Sequence, residues 1–461
     1  MSQSTPSAPI RRGTAHASLV ALGLKLQQLD FWAPLREQVK IAQKTVRYTP
    51  IEKLTDLFIA LLAGARGIAA INEGLRTDPA LQRAFGRAGC AEQSVIQETL
   101  DACTAANVQQ LQAALNQLYR TYSRGFAHDY QAAWQLLDVD LSGLPCGRKA
   151  AFATPGYFGP GKRRRGRQLG RVVASRYGEI VSDQVLAGNT TLATALPALV
   201  EAAEQTLGLD EAKRARTVIR VDAGGGSVGD LNWLLERGYQ VVAKDYSSQR
   251  AAKLAATVTR WYADPKVPGR QVGWVEAPAT EYVRPVVRIA VRCPKRPEGF
   301  AVGVLVLALP EAAVWALHGQ PPPPDPEPAA VLQAYVHLYD QRGGGVETSL
   351  RGSKSGLGVT KRNKKRLAAQ QVLVLLGALA YNLLLWARAW LAEVAPATRP
   401  LGIQRLVRDL WGIRGVVELD PQTGQIVRII LNHANRFAQH WLLPLASLVA
   451  PQEVPLILGE T

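Results

Sequence analysis

Over the first 130 residues, apolar positions recur with the period of an α-helix. Several helix-start signals divide this region into short helices. Thr49-Pro50-Ile51-Glu52 is a capping box with proline at the first helical position. Further starts are expected at Asp78-Pro79 and Ser94, and residues 107–122 carry leucines on one face. This spacing predicts a helical domain over residues 1–130, either a DNA-binding helix-turn-helix bundle or a plain helical cap domain.

From residue 131 the pattern changes to short apolar strands separated by helices. The predicted order over residues 134–244 is strand, strand, strand, helix, strand, helix, strand. This order predicts an α/β core whose first part covers residues 131–246. Residues 247–320 are β-rich and interrupted by prolines, which indicates an antiparallel β insertion.

The last third of the chain returns to a helical pattern. The proline-rich residues 321–328 predict a stiff linker at the start of a core segment that covers residues 321–400. The most apolar stretch, residues 372–386, contains Asn382 and is shorter than the ~18–20 residues that span a bilayer. We therefore predict a buried helix and no membrane contact. Residues 401–461 form a C-terminal segment in which residues 415–431 predict a β-hairpin.

Charge and cysteine content narrow the class of partner. The 461 residues include 54 Lys and Arg against 37 Asp and Glu, a formal net charge of +17. This excess indicates a polyanionic partner, and the weak membrane signals favour nucleic acid. A hydrophobic content of 47% excludes wholesale disorder. The four cysteines are far apart and cannot form a disulfide framework, which fits a reducing cytoplasm.

Three acidic residues stand where carboxylates could hold metal ions. Asp140 ends the first predicted strand of the α/β region, Asp222 ends the apolar strand I-R-V-D, and Glu347 lies in the helical segment after the insertion. Hard divalent cations prefer carboxylate oxygens, and two ions about 3.5–4 Å apart can promote phosphodiester chemistry. Asp138 is an alternative to Asp140, because residues two apart on a strand share a face. Asp140 is preferred since it lies at the strand exit.

A glycine-rich segment suggests a competing interpretation. Residues 224–229 fit G-x-G-x-x-G after a strand, and Asp245 follows about 20 residues behind, as in dinucleotide-binding folds. However, the predicted helix after the glycines is short for a β-α-β crossover. Asp222 would also repel a pyrophosphate unless a cation intervened. The metal site is therefore the favoured interpretation.

Two basic runs lie beside the segments that carry the acids. Residues 162–171 contain six Lys and Arg, residues 351–366 contain seven, and neither run contains an acid. Such runs are often only solvated faces, but in a chain of net charge +17 they favour binding to the phosphate backbone. The candidate phosphate-binding residues of the first run are Lys162, Arg163, Arg164 and Arg165.

The most specific pattern is Tyr-x2-Arg-x4-Glu-x6-Lys, formed by Tyr339, Arg342, Glu347 and Lys354. It resembles the signature Tyr-x2-Arg-x3-Glu-x6-Lys of DDE transposases of bacterial insertion sequences. The matching subgroup has an RNase H-like core with a β insertion before the final acid. The aspartate positions and the order of strands also match, so the resemblance covers about residues 134–395.

The resemblance implies an α/β fold with an RNase H-like catalytic core, an antiparallel β insertion and an N-terminal helical domain. The three acids would bind two Mg²⁺ or Mn²⁺ ions. Water and then a freed 3′-hydroxyl would attack phosphodiesters at the ends of the element and in target DNA. The residues implied to contact DNA phosphates near the cut are Tyr339, Arg342 and Lys354.

The same resemblance implies the partners and the location. Double-stranded DNA would be bound at the transposon ends and at the target, by a homodimer in a synaptic complex. The β insertion would help to hold the transposon end, where Trp274 could stack on an unpaired base. A core position is the alternative for this tryptophan. The expected location is the bacterial cytoplasm, in association with the nucleoid.

One extra residue between Arg342 and Glu347 separates the chain from the signature. Residues five apart on a helix point about 140° from each other, whereas the four-residue step leaves about 40°. The residues between them include Gly343-Gly344-Gly345, and each glycine costs a helix about 1 kcal/mol relative to alanine. We therefore predict a bulge or break at the glycines that lets Arg342 and Glu347 both face the aspartates. The alternative is a helix that starts after Gly345, with Tyr339 in a separate helix or loop.

Two other functions fit the same residues. One is a non-catalytic DNA-binding protein derived from an inactivated transposase. The other is a metal-dependent nuclease without strand transfer. Assays that separate DNA binding, cleavage and joining distinguish the three.

Overall fold

The computed structural model describes residues 8–45, 47–159, 163–295, 299–361 and 363–460. The strands are β1 (Ile10–Thr14), β2 (Gln135–Pro145), β3 (Thr154–Tyr157), β4 (Arg163–Ala174), β5 (Glu179–Ala187), β6 (Thr217–Val221), β7 (Gln240–Lys244), β8 (Tyr262–Ala263), β9 (Gln271–Trp274), β10 (Val287–Pro294), β11 (Phe300–Ala308), β12 (Gly415–Leu419), β13 (Ile426–Asn432) and β14 (Leu456–Gly459). The helices are α1 (Ala17–Gln28), α2 (Ala33–Gln38), α3 (Pro50–Leu62), α4 (Ala70–Glu73), α5 (Pro79–Ala84), α6 (Gln93–Ala102), α7 (Ala105–Tyr122), α8 (Leu192–Leu207), α9 (Glu211–Ala215), α10 (Val228–Glu236), α11 (Ser248–Ala255), α12 (Glu311–Leu317), α13 (Pro328–Asp340), α14 (Val346–Arg351), α15 (Leu367–Val394), α16 (Ile403–Arg405) and α17 (Ala438–Val449).

The fold is mixed α/β, and the chain divides into two compact units. The first unit takes in Met1–Ser123, Cys146–Phe152 and Leu350–Thr461, and the second takes in Arg124–Pro145 and Ala153–Ser349. The predicted helical region at the N-terminus and the predicted C-terminal segment therefore belong to one unit. Apart from Cys146–Phe152, the segments predicted at residues 131–246 and 247–320 lie together in the other.

One large sheet organises the second unit. Its central order is β5-β4-β2-β6-β7, in which the first two pairings are antiparallel and the next two are parallel. The sheet continues from β7 through β11, β10, β9 and β8, all with antiparallel pairing. The β-rich segment after residue 247 is antiparallel as predicted, but its strands extend the main sheet. The short strand β3 pairs with the first residues of β4.

The alternation of side chains along β2 assigns each residue to a face of this sheet. Leu136 belongs to a core cluster that includes Val218 of β6 and Leu332 and Leu338 of α13. Because side chains two apart on a strand share a face, Asp138 and Asp140 lie on the same side as Leu136. The aspartates of β2 therefore face the side of the sheet on which α13 packs.

The first unit combines helices with a four-stranded sheet. The order of this sheet is β1-β12-β13-β14, so the N-terminal strand β1 pairs with a C-terminal strand. The predicted hairpin near the C-terminus is formed by β12 and β13. Residues 8–123 are thus mainly helical, but they do not make a separate helical unit.

Helix α15 is longer than the apolar stretch from which it was predicted. It is the one helix of the described chain that is long and apolar enough to cross a membrane by length and composition. Within the protein, however, 78% of its most apolar window is buried, and Trp386 packs edge-on against Tyr119 of α7 at 6.4 Å. A buried core helix can have the same length and apolar composition as a membrane-spanning helix.

The helix-start signals are confirmed in two places and shifted in a third. Thr49 and Glu52 form the reciprocal capping box of α3, and Asp78 caps α5. Helix α6 begins at Gln93, before the expected start at Ser94. The shift arises because Glu92 already has extended backbone angles and serves as the N-cap position.

Candidate active site

Two aspartates meet where neighbouring parallel strands of the second unit stop pairing. The last paired residues of β2 and β6 are Val139 and Val221, and each is followed directly by an aspartate. The prediction that Asp140 ends its strand is wrong, because β2 continues to Pro145 by pairing with β4. Carboxyl ends of parallel strands meet at one edge of a sheet, so Asp140 and Asp222 lie at the same edge.

Asp138, the alternative to Asp140, is engaged in a buried ion pair. Its side chain is 0% exposed and lies 2.6 Å from Nε of Arg220, which is 1% exposed. Ser175 Oγ donates a hydrogen bond to the same carboxylate at 2.5 Å. Because buried charges must be paired, this carboxylate has a structural task. The Asp140 side chain is 15% exposed and remains the better candidate.

Asp222 is held by the glycine-rich turn that follows it. Its Oδ1 accepts a hydrogen bond from the Gly224 N–H at 2.8 Å. A Cβ added at Gly226 would lie 1.8 Å from the Lys244 carbonyl oxygen, so the turn passes too close to β7 for any side chain. The glycines therefore have a packing role that fixes Asp222 beside β7.

The structure of this region does not support a dinucleotide-binding site. Helix α10 is capped by Ser227 and begins inside the glycine motif, but its nine residues make it short for a β-α-β crossover. Asp245, the candidate ribose ligand, is buried and lies 2.6 Å from Arg250. Its Oδ1 also accepts the Ser247 N–H at 2.8 Å. A carboxylate with these partners is not presented to a ribose.

The helix is interrupted before Glu347, in the form that was the alternative prediction. Helix α13 ends at Asp340, a 3₁₀ turn covers Gln341–Gly344, and α14 begins at Val346. The break takes the form of a 3₁₀ turn with two separate helices, as in the stated alternative, and not of a π-bulge. A Cβ at Gly345 would lie 2.0 Å from Asp138 Oδ2, so the chain crosses β2 at a distance that only glycine allows.

This turn brings Arg342 to the acids, as predicted. Arg342 Nη2 lies 3.1 Å from Asp140 Oδ2, and Nη1 lies 3.5 Å from Glu347 Oε1. Nη2 also donates to the Val139 carbonyl oxygen at 3.2 Å. Arg342 is 6% exposed, and its Nε has no hydrogen-bond partner among the described residues. The guanidinium therefore bridges one partly buried and one exposed carboxylate.

Electrostatics tie four of the predicted residues together. Burial raises the pKa of Asp140 to about 6, the Arg342 charge opposes this rise, and the Asp222 charge adds to it. Burial also raises the pKa of Tyr339 to about 12, again opposed by Arg342 and supported by the two aspartates. Tyr339 is thus close enough to sense the same charges, and its hydroxyl is protonated at neutral pH.

The site fits a hard cation by its chemistry but not by its arrangement. Three carboxylates are the oxygen ligands that Mg²⁺ prefers. Over the described part of the chain, however, no group of three His, Cys, Asp or Glu residues is close enough to hold a metal ion. The Arg342 guanidinium supplies the positive charge between Asp140 and Glu347 instead. A metal centre at these acids would require their rearrangement.

The raised pKa of Asp140 leads to a stability prediction. The folded protein holds a proton on this carboxyl up to a pH of about 6, whereas its ordinary pKa is 3.8. Stability should therefore fall as the pH rises from about 4 to about 6, and the loss should persist above pH 6. Melting temperatures are measured in EDTA across this range, and the value of wild type minus that of Asp140→Asn should decrease as the pH rises, because asparagine does not titrate. Parallel curves would contradict the assignment.

The predicted phosphate-binding residues lie in both units. Arg163, Arg164 and Arg165 are exposed at the start of β4, where Arg165 Nη1 donates to the Ala153 carbonyl oxygen at 2.8 Å. Lys162 lies outside the described residues. Lys354 belongs to the first unit, in the π-helical turn Gly352–Gly356, so the regular helix assumed between Glu347 and Lys354 is not formed.

Trp274 occupies the core position that was the alternative to base stacking. It lies at the end of β9, and its ring packs edge-on against Tyr335 of α13 at 6.2 Å. It is half-buried against the core cluster of the second unit. Stacking on DNA remains a prediction for this residue, but one ring edge already has a protein partner.

The chain is similar to a solved transposase structure, but the similarity is low. The sequence matches no model of a known protein family and no curated protein. Among solved structures, the chain is similar to a piggyBac transposase in a synaptic complex with hairpin DNA, determined by cryo-EM. The two share 13% sequence identity over 88% of this chain and 82% of that chain, with a TM-score of 0.42. At this TM-score the likeness carries no argument about function.

Proposed function

We propose that the chain is a DDE-type transposase that binds the ends of its element and catalyses metal-dependent cleavage and strand transfer. The observation that carries the proposal is the convergence of Asp140, Asp222, Arg342 and Glu347 at one edge of the sheet. They come from three separate segments, and the Arg342 guanidinium contacts two of the three acids. The strand order β5-β4-β2-β6-β7 supports an RNase H-like core for this unit.

Each residue has a role that follows from its surroundings. Once the Arg342 guanidinium leaves the carboxylates and the acids rearrange, Asp140, Asp222 and Glu347 would hold Mg²⁺ or Mn²⁺. The metal would supply charge stabilisation and activate the attacking hydroxyl. Arg342 is a buried cation beside them and can pair with a phosphate once it leaves a carboxylate. Tyr339 keeps its proton because its pKa is about 12, so it can donate a hydrogen bond but not act as a base.

A second candidate, a non-catalytic DNA-binding protein, is favoured by one observation. Arg342 lies between Asp140 and Glu347, and the described residues include no ready group of three metal ligands. Both candidates would bind DNA through the same Lys and Arg residues, and they differ only in whether they cut and join it. Incubating the protein with DNA that carries the flanks of its own gene, in Mg²⁺ or in EDTA, separates them. Cleavage that requires Mg²⁺ supports the transposase, and binding without cleavage supports the second candidate.

Binding through phosphates makes a prediction for salt dependence. Each phosphate contact contributes about −0.9 to the slope of log K against log[salt] on duplex DNA. Neutralising Lys162, Arg163, Arg164 and Arg165 together should flatten that slope by up to about 4. The matched control replaces the three arginines by lysine and should leave the slope nearly unchanged. If the neutralised variant keeps the wild-type slope, this run is only a solvated face.

A further inference from the structure

The β8–β9 hairpin is joined to the last turn of α13 by two side-chain contacts. His337 Nε2 lies 3.1 Å from Asp264 Oδ1, and Asp340 Oδ2 lies 2.5 Å from Arg270 Nη2. Asp264 and Arg270 flank the loop that connects the two strands. Because residues 337 and 340 are three apart on a helix, they present one face to this loop.

The two loop residues form a buried pair of their own. Arg270 Nε donates to Asp264 Oδ2 at 2.6 Å, and the Asp264 N–H donates to the Arg270 carbonyl oxygen at 2.9 Å. The side chains are 0% and 10% exposed. A second Asp264 oxygen accepts the Lys266 N–H at 2.8 Å. Since buried charges are stable only when they are paired, the loop presents the Arg270 guanidinium to Asp340 from a fixed position.

The hairpin also contacts α13 before its last turn, at Gln333 and Tyr335. Gln333 Nε2 donates to the Ala263 carbonyl oxygen at 3.2 Å. The Tyr335 ring packs against Trp274 of β9. Residues 333, 337 and 340 follow the spacing of four and three that defines a helix face. The contact therefore runs along the C-terminal half of α13 and ends at Asp340.

Two candidate site residues, Tyr339 and Arg342, lie at the C-terminal end of α13. Tyr339 precedes Asp340, and Arg342 follows it by two residues. From the side of the sheet, Arg220 Nη1 donates to the Leu338 carbonyl oxygen. The turn that carries Arg342 is thus held by one arginine from the sheet and by a second arginine, Arg270, from the hairpin.

We propose that Arg270 is a positioning residue for the candidate site, with Asp264 holding its guanidinium in place. It fixes the last turn of α13 through Asp340 and thereby sets where Arg342 meets Asp140 and Glu347. The consequence for catalysis rests on the proposed function, whereas the effect on the turn does not. This arrangement gives the β-rich segment a mechanical connection to the acids, separate from any contact that it makes with DNA.

The test uses the full chain and three variants. Arg270→Gln removes the guanidinium. Asp340→Asn weakens the same contact, and because the Asp340 side chain is 42% exposed, this change should affect folding little. The matched control is Arg288→Gln, since the Arg288 side chain is also buried, at 3% exposed, and pairs with Glu281 at 2.9 Å in the same β-rich segment. Hydrogen exchange of peptides over residues 338–349 is measured for each, together with the rate of DNA nicking in Mg²⁺ at saturating DNA.

Faster exchange at residues 338–349 is expected in Arg270→Gln and Asp340→Asn but not in Arg288→Gln. The double variant of Arg270 and Asp340 should match the stronger single variant, because both act through one contact. The nicking rate should fall roughly tenfold or more without loss of DNA affinity, since a shift of about 1 Å can cost about a hundredfold.

The positioning role would be overturned if residues 338–349 exchanged no faster in Arg270→Gln and Asp340→Asn than in the Arg288→Gln control. Faster exchange with a wild-type nicking rate would overturn it as well. If the wild type itself does not nick DNA, the proposed function fails, and the exchange experiment still decides whether Arg270 holds the turn.

Discussion

Replacing Asp222 by asparagine is expected to abolish Mg²⁺-dependent DNA cleavage while leaving DNA binding nearly intact. The amide oxygen can still accept the Gly224 N–H, so the turn after β6 should be preserved. What is lost is the charge of a carboxylate that is proposed to bind a metal ion. Metal ions supply several kcal/mol of transition-state stabilisation, which corresponds to roughly a thousandfold or more in rate. Asp140→Asn and Glu347→Gln are expected to behave in the same way.

Cleavage and gel-shift assays with labelled element ends measure both quantities. The control is Glu201→Gln, which removes an exposed carboxylate from α8 in the same unit and should leave cleavage unchanged. Affinity should persist in the active-site variants because it comes mainly from Lys and Arg contacts to phosphates. Wild-type cleavage by Asp222→Asn would remove this residue from the site.

The second large effect is expected on stability, at the buried pair of Asp138 and Arg220. Breaking a buried ion pair by removing one partner costs about 3–5 kcal/mol, because the other charge stays buried without compensation. Arg220→Gln also removes the hydrogen bond to the Leu338 carbonyl oxygen. For a unit of this size, the loss corresponds to a melting temperature lower by roughly 10 °C.

The design separates this pair from the active site. The double variant Asp138→Asn/Arg220→Gln leaves no unpaired charge and should recover part of the stability that each single variant loses. Arg428→Gln, at a surface pair with Glu418, is the control and should cost less than about 1 kcal/mol. Strictly additive losses at Asp138 and Arg220 would show that the two charges do not stabilise each other.

The central strands of the second unit could be predicted because their patterns are local. Apolar strands that are buried on both faces, such as β6, and an amphipathic helix such as α8 show in the sequence itself. The two aspartates follow from that pattern, because each comes directly after the last paired residue of a buried strand. Pairing between distant segments has no such signal, so the extension of the sheet through β8–β11 was not predictable from periodicity.

Other features of the site depend on contacts that only the fold creates. An arginine within the buried strand I-R-V-D signals a buried acidic partner, but the sequence does not say that Asp138 is that partner. The glycine run predicted a weak helix, yet the need for Gly345 comes from its approach to Asp138 across β2. Strand β1 was missed because its sequence, I-R-R-G-T, has no apolar alternation.

The most direct test of the proposed function is a strand-transfer assay. Wild-type protein is incubated in Mg²⁺ with DNA that carries both ends of its element and with a supercoiled target plasmid. The proposed transposase should cut at the element termini and join the freed 3′-hydroxyl ends to the plasmid, and both products should disappear in EDTA and with Asp222→Asn. Bound DNA that is neither cut nor joined in Mg²⁺, or products that persist with Asp222→Asn, would contradict the proposal.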